Sequence, residues 1–98
     1  MTKNVTYKQL HRALLDLGFD RFTRKECFLY EHPVTETVVL VPLKSEGEMV
    51  APILLLGIKK SLELRGDATE EEWFDAIEQA QQEEQEANAK LTTVTASA

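Results

Sequence analysis

Apolar positions change their period along the chain, and each change marks an element. Tyr7, Leu10, Leu14 and Leu17 recur at spacings of 3, 4 and 3, one stripe of an α-helix that Ala13 widens. Thr6 and Gln9 stand three apart ahead of the stripe, as a capping box requires, and Gly18 stands where a left-handed residue closes a helix. Residues 19–25, 27–32 and 36–42 then read as three strands, with Pro33 and Pro42 closing the second and third. Residues 37–41 are β-branched and nearly all apolar, which predicts a strand buried on both faces. A polar loop with Gly47 spans 44–48, and Pro52 opens a second helix. There Ile53, Leu54, Leu55, Leu56, Ile58 and Leu62 cover most of the circumference, so the pattern predicts the most buried helix, exposed only at Lys59 and Lys60 and stopped by Gly66. Thr69 and Glu72 repeat the capping-box spacing before a third helix, whose first turn holds Glu70, Glu71 and Glu72.

The order predicts an α+β fold: a three-stranded antiparallel sheet, two helices on one face and an extra C-terminal acidic helix. The expected division is a core at 1–66, the acidic helix at 67–90, packed on the core or on a partner subunit, and a disordered tail at 91–98. Cys27, Leu29 and one parity of 38–41 make the second sheet face more apolar than a solvated face needs. The third helix can cover it, within the chain or across a dimer. The patch formed by Trp73, Phe74 and Ile77 is the candidate interaction surface, with packing back onto its own domain as the alternative.

Length and charge narrow the function. Ninety-eight residues support one core and leave no room for a separate substrate domain. The net charge of −6 is unevenly spread: the first 66 residues sum to +2 and the remainder to −8. Lys8, Arg12, Arg21, Arg24 and Lys25 are the candidate RNA-binding residues, although Asp16, Asp20 and Glu26 interleave with them. His11, Cys27 and His32 lack the short repeated spacing of a metal site, so neither a metal nor another cofactor is expected. A single cysteine, no apolar leader and no long apolar run point to a cytoplasmic protein without a membrane span.

Four segments resemble the HicA/YcfA family of small toxins. They are Lys8-Gln9-Leu10 with Leu14 through Gly18-Phe19; Tyr30-Glu31-His32-Pro33; Val39-Leu40-Val41-Pro42; and Leu55 through Lys60 followed by Thr69 through Phe74. The resemblance spans roughly residues 7–77. It implies a double-stranded-RNA-binding-like α-β-β-β-α core, mRNA endoribonuclease activity and a HicB-like antitoxin partner. The family's Gly-Ser-His at the start of its second strand is replaced here by Lys25-Glu26-Cys27, and a second family histidine, after the strand-3 proline, by Leu43. A thiol exchanges protons poorly at neutral pH unless cations lower its pKa, and Arg24 and Lys25 adjoin it; packing as a small inert residue is the other reading of Cys27. Three functions follow: a HicA-like protein without the catalytic histidine that binds RNA or protein, an active endoribonuclease toxin, and a non-enzymatic interaction or homodimerisation module.

Overall fold

The computed structural model describes the backbone of residues 4–97 and the side chains of residues 4–85. Six elements follow in order: α1 (Tyr7–Asp16), β1 (Asp20–Thr23), β2 (Cys27–Glu31), β3 (Val38–Pro42), α2 (Pro52–Arg65) and α3 (Glu70–Ser97). The strands form one antiparallel sheet in the order β1-β2-β3, so the fold is α+β.

Local chemistry sets the helix ends. The Gln9 N–H donates to Thr6 Oγ1 at 3.3 Å, and the Thr6 N–H donates back to Gln9 Oε1 at 3.1 Å. Thr69 and Glu72 form the same reciprocal pair at 3.1 and 3.0 Å. Each pair satisfies two amide donors that a helix start would leave without partners. Gly18, at φ +96°, turns the chain out of α1, and a Cβ there would come within 3.2 Å of His32 Nε2.

One core joins all the layers. Leu10 and Leu14 of α1, Tyr30 of β2, Val41 of β3 and Leu62 of α2 are fully buried, and Trp73 and Ile77 of α3 belong to the same cluster. The closest helix pair is α1 with α3. Small buried residues, Ala13 on α1 and Ala76 and Ala80 on α3, let these backbones approach. Arg12 Nε meets Glu83 at 2.9 Å, and Gln9 Nε2 donates to Glu84 at 3.2 Å. Helix α3 therefore docks within its own chain, on the helical side of the sheet.

Three sequence expectations change. Strand β3 alternates, with Val39 and Val41 buried and Val38, Leu40 and Pro42 exposed, because helices cover only one sheet face. Helix α2 buries only Leu55, Ile58 and Leu62, leaving Ile53, Leu56 and Leu64 exposed, since α3 runs along α1 and leaves its flank open. Helix α1, with five of ten residues buried, takes the central place. Lys59 bridges Glu63 at 3.4 Å and Glu70 at 2.6 Å. Strands β1 and β3 are shorter than the apolar pattern: Phe19 is already buried before β1, and a turn in which the Glu36 N–H donates to the His32 carbonyl delays β3 to Val38. The helical backbone of α3 runs from Glu70 to Ser97. The side chains of the expected tail, 91–98, lie outside the described residues.

Candidate functional site

The sheet has two unlike faces. On the inner face Tyr30 pairs in register with Arg21 on one side and Val39 on the other, beneath the helices. On the outer face Leu29 lies between Phe22 and Leu40, and these three make an apolar row across the strands. Side chains directly opposite one another in such a row stand about 5 Å apart, so the row is continuous. Phe22 is 41% exposed and Leu40 58%. Val38 at one end and Leu43 beyond the other are also exposed. No described element covers this face.

The row is flanked by charge of opposite sign. At one end Asp20 lies directly across from Glu31, two carboxylates side by side. At the other the β1–β2 turn carries Arg24 and Lys25 against Glu26. Arg24 lies over the Phe22 ring at 5.8 Å, which places its guanidinium on the outer face. Among the described residues Asp20, Glu31, Arg24 and Lys25 make no ion pair.

Cys27 lies on this face, partly buried and opposite Pro42. Neither described histidine is beside it. His32 is five residues further along, about 16 Å in extended chain, and of opposite parity. His32 is occupied: its Nδ1 accepts from the Val34 and Thr35 N–H groups at 3.2 and 3.4 Å, and its ring meets Phe19 edge-on. His11 is under the sheet, where its Nδ1 and the Tyr30 hydroxyl share a hydrogen bond and Phe28 meets its ring edge-on at 4.8 Å. Burial and then Arg21 push the His11 pKa down, partly offset by Glu46. Burial pushes the Tyr30 pKa up, against a hydrogen bond from Arg21. Among the described residues no group of histidine, cysteine and carboxylates is arranged to hold a metal.

The structure brings together three of the five candidate RNA-binding residues and leaves two apart. Lys8, Arg12 and Arg21 line a shallow hollow of about 420 Å³, but Glu46, Glu83 and Glu84 line it too, one carboxylate for each cation. Arg12 is held by Glu83 and by Asp16 at 3.5 Å. Arg24 and Lys25 are at the β1–β2 turn. Of the candidate interaction residues, Trp73 at 4% exposed and Ile77 are core, whereas Phe74 is 51% exposed with Lys59 Nζ 5.5 Å from its ring centre. Neighbouring positions on a helix point about 100° apart, so the core takes Trp73 and leaves Phe74 outside. The outer face was partly visible in the sequence: Cys27, Leu29 and one parity of 38–41 mark it, but Phe22 joins them only through the β1–β2 register. Among the described residues no helix is long and apolar enough to cross a membrane. No protein-family model, curated protein or solved structure matches this chain.

Proposed function

We propose that this chain is a non-catalytic, HicA/YcfA-like module, a double-stranded-RNA-binding-like core followed by an acidic helix, that works in the cytoplasm by binding protein. The observation that carries the reading is the uncovered apolar row Phe22–Leu29–Leu40. Apolar area of this kind on a flat sheet gains free energy only when another apolar surface removes it from water. Cys27 in the slot of the family's histidine, and two histidines with structural partners, remove the groups that RNA cleavage would need. The balanced charges around the α1 hollow offer phosphates little net attraction. A HicB-like antitoxin is one protein of the class this face would suit.

The test places a photocrosslinking residue either at Leu40 or at Lys8 and irradiates the chain in its own host. Protein adducts from position 40, with none from position 8, are the expected result. RNase-sensitive adducts from position 8, or cleavage of RNA by the purified chain, would overturn the reading in favour of RNA binding or of an active endoribonuclease.

A further inference from the structure

The outer sheet face carries its own complement. Its apolar row has a carboxylate pair, Asp20 and Glu31, at one end, and at the other Arg24, whose guanidinium lies on this face, in a turn shared with Lys25 and Glu26. Like charges directly across a strand pair destabilise it, and here no described residue relieves them. We infer that a second copy of this chain covers the face, two sheets packing face to face about a two-fold axis that runs along the row Phe22–Leu29–Leu40. The inference rests on the protein-binding reading and names the partner.

Charge selects the axis. A two-fold axis relating two facing surfaces must lie in the plane between them. Running along the strands, it would set each carboxylate pair on its copy and each cation pair likewise. Running across the strands, along the apolar row, it reverses strand direction. Phe22, Leu29 and Leu40 then meet their own copies, and Asp20 and Glu31 of each chain meet Arg24 and Lys25 of the other. This arrangement relieves the carboxylate pair and supplies partners for both cations. The face is three strands wide, about 14 Å, so the dimer belongs to the class burying less than roughly 1,200 Å². It dissociates in the micromolar range and weakens with salt.

The experiment is sedimentation velocity on the full chain from roughly 5 to 500 µM, at about 50 and 500 mM salt. The expected result is a monomer–dimer equilibrium that salt shifts toward monomer. Leu40→Glu should abolish the dimer while leaving helical content and Trp73 emission unchanged. Asp20→Lys with Glu31→Lys, and separately Arg24→Glu with Lys25→Glu, should each weaken it by about tenfold or more. Mixing these two double variants should give a heterodimer, since each then has both ends of one sign. Mild oxidation should not trap the dimer through Cys27, because the axis sets the two thiols at opposite ends. Monomer at every concentration, or a dimer that survives Leu40→Glu, overturns the proposal. A dimer locked by a Cys27 disulfide overturns the axis. Monomer together with Leu40 crosslinks to a different protein removes the second copy and leaves the protein-binding reading standing.

Discussion

The His11 imidazole and the Tyr30 hydroxyl meet under the sheet, 19 residues apart in the chain, and hold α1 to β2 through a shared hydrogen bond. Arg21 is the charged group beside this pair, with its guanidinium over the Phe28 ring at 5.3 Å. Burial keeps this imidazole neutral by holding its folded-state pKa below 6.5. Just below pH 6.5 the unfolded chain therefore binds more protons than the folded one, and stability falls as pH falls. At the alkaline end the Tyr30 pKa is raised by burial and the Lys59 pKa by its hydrogen bond to Glu70, so the folded chain keeps protons longer and stability falls as pH rises past about 10. Urea unfolding against pH should show a plateau between those limits. His11→Gln should flatten the slope between about pH 5 and 6.5; an unchanged slope would assign it to other groups.

Trp73 and Phe74 are neighbours with opposite fates, and their truncations should differ accordingly. Trp73→Ala opens a cavity in the shared core and should cost about 3 kcal/mol or more. Phe74→Ala loses a partly exposed ring and one cation–π contact with Lys59, about 0.5–1 kcal/mol. Neither cost should vary with protein concentration, because α3 docks within its own chain. Thermal unfolding of both variants at two concentrations is the measurement, and equal losses would mean the ring assignments are wrong. Native Trp73 should emit as a buried indole.

The parts of the fold legible in the sequence are those fixed by chemistry within a few residues. Thr6 with Gln9 and Thr69 with Glu72 announce helix starts because both partners lie within one turn. The parts that were not legible depend on packing between distant segments. Residues 38–41 are apolar at every position, so they carry no parity, and only the helices decide that Val39 and Val41 go inside. Helix α2 is apolar around most of its circumference for the same reason, and its exposed side follows from where α3 lies. The candidate site divides in the same way. Cys27 and Leu29 show their shared face by spacing alone, whereas Phe22 joins them, and Asp20 meets Glu31, only once the β1–β2 register is fixed.

Gly18 is a position where a side chain should be costly twice over. Its φ of +96° strains any L-residue, and a Cβ would press on the His32 ring at 3.2 Å. Gly18→Ala should destabilise by about 1–3 kcal/mol. Part of that cost should disappear in a His32→Ala background, where the ring no longer opposes the methyl group. A cost below about 0.5 kcal/mol in the wild-type background would show that the turn adapts freely.

Placing a histidine at position 27 should not create a ribonuclease. RNA cleavage by transesterification needs one group to take the 2′-hydroxyl proton and another to protonate the leaving oxygen, both within about 3 Å of the reacting atoms. Position 27 is at the start of β2 on the outer face, opposite Pro42 and beside an apolar row. His11 is beneath the sheet, bonded to Tyr30, and His32 is at the far end of the strand, accepting two backbone N–H groups. The carboxylates of this face, Asp20 and Glu31, lie at the end away from position 27. Cys27→His should therefore leave RNA cleavage at the background of the wild-type chain, followed by gel on labelled single- and double-stranded RNA. Cleavage that appears with Cys27→His and disappears when His32→Ala is added would place the two side chains in one working site, contrary to the geometry of β2.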